Sequence, residues 1–377
     1  MIIKNGLVFG ADCKFSPRDV YFRNGRVVGE PDGLGGPADV YDADGCYVLP
    51  GFVDIHTHGA VDHDFCDADP GGVEAMLAYY GRLGVTSVVF ATTSFPEDVI
   101  AGAVRAAAPY FRKDGYGAVL RGVNIEGPFL SLNKRGAQNP EFLTSPDLGF
   151  FERIFDIVRD FVRIVALAPE LPGAMEFIRR AGEKCAVSIA HTEAGFDVAS
   201  AAFDAGASHV THLFNAMPPF THREPGVVGA AMEKAGFVEL ISDGVHIHPA
   251  VIRAAFRMFG AHRVCLISDS MRATGMPDGS YEIGGLDVRV ENGKAVLAGG
   301  NGAIAGSVIS LPEMCRRAAG FGVPLEDAVR AATLNPAAAA GLSRDVGSLE
   351  PGKRADAVVW DKELRTKSVF NAGKRLS

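Results

Sequence analysis

One apolar stretch of the chain ends in a pair of histidines: residues 50–59 read PGFVDIHTHG. Its apolar and β-branched centre predicts a buried strand. Side chains two positions apart on a strand point to the same side, so His56 and His58 share one face where this strand ends. Two neutral imidazoles about one pleat apart suit a zinc-class divalent cation. The stretch therefore predicts a buried strand that leads into a metal site.

Seven further apolar runs follow, and each of them ends in polar residues. With the first run they are Gly51–His58, Thr86–Ser94, Val119–Gly127, Val162–Glu170, Cys185–His191, His209–Asn215, Val238–His246 and Val264–Asp269. Segments with apolar residues at helical spacing separate most of them, namely Gly72–Leu83, Glu97–Arg112, Phe151–Asp160, Gly173–Lys184, Phe196–Ala205, Gly226–Ala235 and Pro249–Phe259. Two more helices, about Leu311–Gly320 and Leu325–Gly341, follow the eighth run. This alternation predicts a parallel (β/α)₈ barrel of the TIM type.

A doubly wound open sheet is the main structural alternative, because it also alternates strands and helices. Its usual phosphate-binding loop is missing, since no GxGxxG follows a first strand and no GxxxxGK[ST] occurs. In a barrel, chemistry gathers at the C-terminal ends of the strands. We therefore look for functional residues at the ends of the eight runs.

Both ends of the chain read as short β segments. Met1–Phe9 and Tyr47–Leu49 near the start resemble Asp356–Trp360 near the end in their β-branched and aromatic content. We expect residues 1–49 and 345–377 to form one small β-sandwich domain. Residues 50–344 would then form the barrel.

Composition narrows the range of partners. The formal net charge is −8, so no basic surface for nucleic acid or an anionic membrane is expected. The six cysteines include no CxxC pair, as in reduced cytoplasmic proteins. The N-terminus lacks a secretory pattern, and no run approaches the length of a spanning helix. We expect a cytoplasmic protein with a small-molecule substrate.

Four more strand ends carry side chains suited to chemistry. Glu126 closes the third run, and a buried carboxylate there needs a cationic partner. His191 closes the fifth run and His212 lies in the sixth. With His56 and His58 they would form a metal site at one mouth of the barrel. Asp269 ends the eighth run, where a carboxylate could take a proton from water and pass it to a departing nitrogen.

Other polar residues carry weaker signals. His209 lies three positions before His212, so it is expected to face the other way and to be structural. His246 lies near the end of the seventh run and could contact substrate hydroxyls, while His63 is a loop candidate. Arg223 precedes a helix N-terminus and could hold a phosphate, although such an arginine is usually solvated. The glycine-rich stretch 299–307 suits a phosphate loop or a flexible turn equally.

Several motifs together resemble the N-acetylglucosamine-6-phosphate deacetylases of the amidohydrolase superfamily. They are PGFVDIHTHG (50–59), EGPFLSLNKRGAQNP (126–140), AHTEA (190–194), THLFNAMPPFTHREPG (211–226), SDGVHIHP (242–249), SDSMRATGMPDGSYEIGG (268–285), IAGSVISL (304–311) and GSLEPGKRAD (347–356). The likeness covers nearly the whole chain. The HREPG element after HLFNAM is far more specific than the HxH pair.

The resemblance implies a reaction and a cofactor. Metal-activated water would remove acetate from the amide of N-acetylglucosamine 6-phosphate, with Asp269 as general base and then acid. Glu126, His191 and His212 match one metal position, and His56 with His58 adds a second, so one or two divalent ions would bind. Zinc is favoured, while iron, cobalt and manganese also suit such ligands.

The resemblance also implies substrate contacts and a homodimer. The matching positions are Ala137, Gln138, Asn215, Ala216, Arg223, His246, Ile304, Ala305 and Gly306. In related dimers some of these contacts, Arg223 and His246 among them, reach the neighbouring subunit's site. Gln138 stands where some relatives have His, so its role is open.

Three alternatives are kept beside this reading. The substrate could be N-acetylgalactosamine 6-phosphate or an unphosphorylated N-acetyl sugar. A cyclic-amide hydrolase would commonly carry a carboxylated Lys at the end of strand four, where this chain has Pro169-Glu170. A non-catalytic scaffold would tend to lose ligand residues, whereas every ligand position here is filled.

Overall fold

The structure is a computed structural model that describes residues 1–29, 39–299 and 302–377. Its centre is an eight-stranded sheet in which neighbouring strands run parallel. In chain order the strands are Phe52–Thr57, Val85–Ala91, Val119–Glu126, Val162–Leu167, Ala186–Ile189, His209–Val210, Phe237–Leu240 and Val264–Leu266. Each strand pairs with the one before it and the one after it along the chain.

The sheet closes on itself between its first and last strands. The backbone N–H of Asp269 donates to the carbonyl of His56 at 2.9 Å, and the N–H of His58 donates to the carbonyl of Ser270 at 2.8 Å. An open, doubly wound sheet would leave both of these edges unpaired. The predicted TIM-type barrel is therefore confirmed, and the open-sheet alternative is wrong.

Ten α-helices occur in the described part of the chain, and most of them lie outside the barrel strands. They are Pro70–Leu83, Glu97–Ala107, Leu148–Ile157, Ala174–Gly182, Phe196–Ala205, Gly226–Lys234, Pro249–Phe259, Leu311–Gly320, Leu325–Ala332 and Leu334–Ala339. The first begins after Asp69, whose carboxylate accepts the N–H groups of Gly71 and Gly72, and it ends at Gly84 with φ +104°. None of the helices in the described ranges is long and apolar enough to cross a membrane.

Two predicted helices were too long. The segment expected over Glu97–Arg112 leaves the α-helix after Ala107, and the 3₁₀ turn Ala108–Tyr110 follows with Pro at its second position. The segment expected over Leu325–Gly341 is two helices, because the backbone at Thr333 is not helical. Pro336 has no N–H to donate to the carbonyl of Ala332, so one continuous helix would lack that bond.

The sixth barrel strand is much shorter than the run His209–Asn215 that the sequence suggested. It stops at Val210, and the backbone then turns through His212, Phe214 and Ala216, whose φ values are +28°, +76° and +51°. Residues in this left-handed region cannot continue a strand. His212 therefore lies in the turn just beyond the strand end.

Both chain termini contribute to one further eight-stranded sheet. Its strands are Ile2–Phe9, Phe15–Arg23, Arg26–Val28, Val40–Asp42, Tyr47–Pro50, Ala357–Trp360, Thr366–Asn371 and Lys374–Arg375. Side chains of this sheet form a core of their own, which includes Val8, Val48 and Phe370. The small β-sandwich domain predicted from the two termini is confirmed. Its boundaries at 49/50 and 344/345 stay a prediction.

A three-stranded antiparallel sheet follows the eighth barrel strand, and the sequence reading missed it. Its strands are Gly279–Ile283, Leu286–Glu291 and Lys294–Leu297. They pack Ile283, Val288 and Val290 against Met271, with Ala137 at the edge of this cluster. The insert therefore stands over the C-terminal end of the barrel, beside the predicted substrate positions.

Candidate active site

Glu126 is the centre of a buried polar cluster at the C-terminal mouth of the barrel. Its Oε1 atom lies 3.0 Å from His212 Nε2, 3.4 Å from His191 Nε2 and 3.6 Å from His56 Nε2. Its Oε2 atom lies 3.4 Å from His58 Nε2. Four imidazoles, from two strand ends and the turn after a third strand, thus converge on one carboxylate, as the sequence led us to expect.

The cluster contains two sets of three side chains that could each hold a metal ion. One set is His56, His58 and Glu126, and the other is Glu126, His191 and His212. Glu126 is common to both, so its carboxylate could bridge two ions.

Spacing and chemistry in the cluster fit a divalent ion. Ligand atoms about 2.0–2.1 Å from one tetrahedral ion lie about 3.3 Å apart, which is close to the separations here. His191 Nε2 and His212 Nε2 are only 3.0 Å apart. His56 Nε2 is buried with no hydrogen-bond partner. A buried ring nitrogen without a hydrogen-bond partner, in a set of imidazoles and carboxylates, is a position that a bound cation would satisfy.

Three of these side chains stand on unusual backbone. The φ angle is +43° at His191, +28° at His212 and +45° at Asp269. Non-glycine residues rarely adopt the left-handed region, and such residues concentrate at functional sites. The turn at each strand end directs the side chain across the mouth of the barrel instead of along its wall.

Charges in the cluster act strongly on one another. Burial disfavours the charged form of His56, yet Glu239 and Glu126 hold its pKa well above the ordinary value. Burial likewise opposes the shift at His58 and His212, but Asp269 and Glu126 respectively raise their pKa values. For Glu126, burial opposes ionisation, while His56 and the other imidazoles keep its pKa well below the ordinary range. Positive charge therefore stabilises the buried carboxylates, and either protons on the histidines or a metal ion can supply it.

Glu239, on the seventh barrel strand, belongs to this cluster and was missed in the sequence. Its Oε2 atom lies 2.9 Å from His56 Nδ1, and its Oε1 atom lies 3.1 Å from His209 Nε2. Burial would raise the pKa of Glu239, but His56 and His209 lower it to about 2. One signal could have revealed it, since Phe237–Leu240 places a single acid in an otherwise apolar strand.

His209 was expected to face away from the site and to be structural. Its side chain is buried and does not line the cavity, but it contacts Glu239 and so connects to the cluster. The expectation assumed that side chains alternate along one strand from His209 to His212, and this does not apply because the strand ends at Val210. His209 and His212 therefore do not lie on one continuous pleat.

Asp269 lies beside the histidine pair, where the predicted proton carrier should stand. Its Oδ1 atom is 3.2 Å from His58 Nε2 and 3.6 Å from His56 Nε2. Burial opposes its ionisation, but the hydrogen bond with His58 and the charge of His56 lower its pKa. The side chain borders the open cavity. Asp269 is therefore a carboxylate at neutral pH, able to accept a proton from a group in that cavity.

A cavity of about 250 Å³ opens above the cluster, at the small end of ligand-binding pockets. Of the predicted metal and catalytic positions, His58, Glu126, His191, His212 and Asp269 line it, while His56 lies behind them. Of the predicted substrate positions, the structure brings together Ala137, Gln138, Asn215, Ala216, His246, Ile304 and Gly306. Four further lining residues were not predicted, namely Thr93, Gly136, Ile283 and Ala303.

Two predicted substrate positions do not line this cavity. Ala305 is fully buried, and its side chain packs in the core of the insert with Met271 and Ala273. Its neighbours Ile304 and Gly306 line the cavity instead, and the chain bends at Gly306, whose φ is +68°. Arg223 is exposed on the loop between the sixth strand and the next helix, outside the cavity wall of this subunit.

Two positions with weaker sequence evidence remain, and only one of them contributes to the cavity. His63 is half-buried beside Asp69, 3.9 Å away, and is not among the cavity residues. In the glycine-rich stretch 299–307, Gly300 and Asn301 lie outside the described residues. The later part of that stretch provides cavity wall.

Gln138 forms hydrogen bonds within the cluster that could not be predicted from the sequence. Its Nε2 donates to Glu126 Oε2 at 2.9 Å, and its Oε1 accepts the N–H of Ser94 at 2.6 Å. The amide therefore fixes the orientation of the Glu126 carboxylate while one face borders the cavity.

His246 is held by a neighbouring acid. Its Nδ1 atom lies 2.7 Å from Asp243 Oδ2, and Asp243 Oδ1 accepts the N–H groups of Val245 and His246 at 2.8 Å each. Burial opposes the ionisation of Asp243, but His246 lowers the pKa of its carboxyl. With Nδ1 engaged, Nε2 is the ring nitrogen of His246 left for a ligand.

Comparisons with known proteins agree with this geometry. The model of the amidohydrolase family matches residues 47–376. N-acetylglucosamine-6-phosphate deacetylase of Bacillus subtilis (strain 168) is 36% identical over 95% of this chain and 89% of its own length. N-acetylgalactosamine-6-phosphate deacetylase of Escherichia coli O157:H7 is 34% identical over 90% of each chain.

Solved structures of related proteins are similar to this chain over its whole length. The N-acetyl-D-glucosamine-6-phosphate deacetylase of Mycobacterium smegmatis, solved in complex with N-acetyl-D-glucosamine-6-phosphate, is 36% identical. It superimposes with a TM-score of 0.91 over 100% of this chain and 98% of that one. The corresponding enzyme of Pasteurella multocida has a TM-score of 0.92 at 26% identity. On its barrel, its buried His/Glu cluster and this similarity along nearly the whole chain, the protein belongs to the amidohydrolase family.

Proposed function

We propose that this protein is a metal-dependent deacetylase that hydrolyses the acetamide of N-acetylglucosamine 6-phosphate to glucosamine 6-phosphate and acetate. One observation carries the proposal: Asp269 and the shared carboxylate Glu126 meet four imidazoles at the floor of a small cavity. Relatives with this activity match over most of the chain. The alternatives of a cyclic-amide hydrolase and a scaffold have no comparable support.

The metal would be held by the chain's own ligand sets. Glu126, His191 and His212 would hold one divalent ion, and His56 with His58 would add a second position that shares Glu126. Zinc is our choice, although iron, cobalt and manganese accept the same donors. When bound, the ion supplies Lewis acidity that polarises the acetamide carbonyl and makes water a stronger acid.

Asp269 would move the proton. Its carboxylate accepts a proton from the attacking water as the water oxygen bonds to the acetamide carbon. It then delivers that proton to the sugar nitrogen as the carbon–nitrogen bond breaks, so that acetate and a free amine leave. The lowered pKa of Asp269 provides the basic form at neutral pH.

Cavity-wall residues would bind and orient the sugar. His246, which lines the cavity of its own chain instead of reaching a neighbouring one as the resemblance implied, presents its free ring nitrogen to a hydroxyl. Asn215, Ala216 and Ile304 border the same space. Gln138 we assign chiefly to holding Glu126, because both ends of its amide are already engaged within the protein.

The phosphate site would require a second subunit. Arg223 is exposed and outside the cavity of its own subunit, yet an arginine fork suits a phosphate. We propose a homodimer in which Arg223 of each subunit reaches the neighbouring cavity. Mixing two inactive variants, Arg223→Ala and Asp269→Asn, tests this, because shared sites would regain part of the activity in mixed dimers. No recovery would contradict the exchange.

N-acetylgalactosamine 6-phosphate is the second candidate substrate, because a relative with that activity is almost as similar as those acting on the glucosamine epimer. The test is acetate release from a panel containing both phosphorylated epimers and unphosphorylated N-acetylglucosamine. It is run on metal-loaded and on chelated protein. We expect the highest kcat/KM with N-acetylglucosamine 6-phosphate and loss of turnover on chelation. No acetate release from any sugar after metal is restored would refute the assignment.

A further inference from the structure

Glu239 is a buried carboxylate that touches both halves of the metal cluster without lining the cavity. It lies on the seventh barrel strand with its side chain fully buried. The nearest predicted ligand, His56, is on the first strand, and His212 follows the sixth. Glu239 therefore contacts residues from two different parts of the barrel wall.

Each oxygen of Glu239 accepts hydrogen bonds from named donors. Oε2 accepts from His56 Nδ1 at 2.9 Å and from the backbone N–H of His212 at 3.3 Å. Oε1 accepts from His209 Nε2 at 3.1 Å. A carboxylate buried in an apolar wall is stable only when its oxygens are satisfied in this way.

The contact with His56 determines which ring nitrogen is available to a cation. A carboxylate can only accept, so the proton of the neutral ring stays on Nδ1. The Nε2 lone pair then faces Glu126 and Asp269, where it has no hydrogen-bond partner. The ring is thus held in the tautomer and orientation that a metal ligand needs.

The contact with His212 acts on the second ligand set. The N–H of His212 belongs to a residue at φ +28°, an uncommon conformation that needs support from its surroundings. Glu239 supplies such support, and the N–H of the next residue, Leu213, also donates to the backbone carbonyl of Glu239 at 2.8 Å. One residue thus braces ligands of both sets.

We propose that Glu239 is a positioning residue that orients His56 and the His212 turn for metal binding, with His209 fixing the Glu239 carboxylate in turn. The inference rests on the proposed metal-dependent function. It assigns a role to two residues, Glu239 and His209, that belong to neither ligand set.

The experiment measures metal rather than turnover. Wild type, Glu239→Gln and Glu239→Asp are purified, stripped of metal and titrated with Zn²⁺ against a competing chelator, and bound zinc per subunit is determined on the same samples. Glu97→Gln is the control, because Glu97 pairs with Arg153 and is not a cavity residue. We expect zinc affinity to fall by about 10- to 100-fold in Glu239→Gln and to stay at the wild-type level in the control.

A merely structural role gives a different result. If Glu239 only supported the core, thermal unfolding of the metal-free variant would change while the zinc affinity of the folded protein would not, and the inference would be overturned. The Asp variant keeps the charge on a shorter side chain, so it serves if the Gln variant does not fold. Wild-type zinc affinity in the Asp variant would also overturn the inference.

A double variant tests the route through His56. If Glu239 acts by orienting that ring, the affinity loss of His56→Ala with Glu239→Gln is smaller than the product of the two single losses. Fully multiplicative losses would exclude this route. Wild type that binds zinc but releases no acetate would refute the proposed reaction while leaving the role of Glu239 to be judged on these titrations.

Discussion

Asp269 takes part both in the backbone hydrogen bonds that close the barrel and in the proposed chemistry. Its N–H donates to the carbonyl of His56, while its side chain faces His58 across the floor of the cavity. The same residue therefore fixes the spacing of the first and eighth strands and presents a carboxylate to the cavity. A substitution that keeps the side-chain shape can separate these two roles.

Replacing Asp269 with Asn should remove proton transfer while leaving the backbone contact. We expect kcat for acetate release to fall by about 10²–10⁴-fold with KM changed only a few-fold. Steady-state kinetics and metal content are measured on the same preparation, with the exposed Asp197→Asn as the control. A variant that lost metal in proportion to activity would make Asp269 a ligand instead of a proton carrier.

The raised histidine pKa values predict how metal binding depends on pH. In the metal-free protein, His56, His58 and His212 hold protons up to a higher pH than free imidazole does. A metal ion must displace these protons, so lowering the pH from about 8 to about 6 should weaken binding. Bound metal after dialysis against weak chelator at each pH is the measurement. Tighter binding at the acid end would contradict the prediction.

At the scale of elements, the strand-end residues of the buried cluster could be predicted and the contacts that support them could not. HxH, Glu126, His191 and His212 stand where apolar runs meet polar residues, and that pattern is visible in the sequence. Glu239 is a single acid within a four-residue strand, and its partners come from distant parts of the chain. The lone acid in an apolar strand marks Glu239 as a buried group, but no local pattern records which residues it contacts, so its role needed coordinates.

The three-stranded insert was not predicted, although the sequence contains turn residues and an alternating pattern that indicate it. Gly284-Gly285 and Asn292-Gly293 are hairpin turn pairs, and the structure gives all four residues positive φ. The residues between them alternate between buried and exposed.

Ile283, at the end of the first insert strand, tests whether the insert shapes the substrate cavity. It lines the cavity and is also buried in the insert core, whereas Val288 shares the core without lining the cavity. We expect Ile283→Ala to raise KM about tenfold, as expected for lost apolar contact, and Val288→Ala to leave KM near the wild-type value. Equal changes in the two variants would mean that the insert acts only through its stability.

At the scale of the whole molecule, ion pairs of one carboxylate connect the barrel with the terminal domain. Arg121, on the third barrel strand, is 6% exposed and donates to Asp345 Oδ2 at 2.8 Å. Arg26 of the terminal sheet pairs with the same carboxylate. Asp345 thus links both domains at a distance from the catalytic mouth.

Replacing Asp345 with Asn should lower stability without changing the reaction. Arg121 would keep its charge in a buried setting with a weaker partner, so we expect the free energy of unfolding to fall by about 1–3 kcal/mol. The loss is limited because the Asp345 side chain is 35% exposed, so solvent screens its ion pairs. Urea unfolding and kcat are compared with those of Glu363→Gln, a surface-pair control that should change little. A fall in kcat with unchanged unfolding would contradict the prediction.

The pairing of Tyr47–Pro50 with Ala357–Trp360 has a consequence for synthesis on the ribosome. The early strand remains without this neighbour until some three hundred later residues have been translated and the barrel between them has been made. During that interval its open edge is available to other nascent chains, and strand edges of this kind promote aggregation. Completion of the terminal sheet therefore waits until the barrel residues that lie between its two strands in the sequence have been translated.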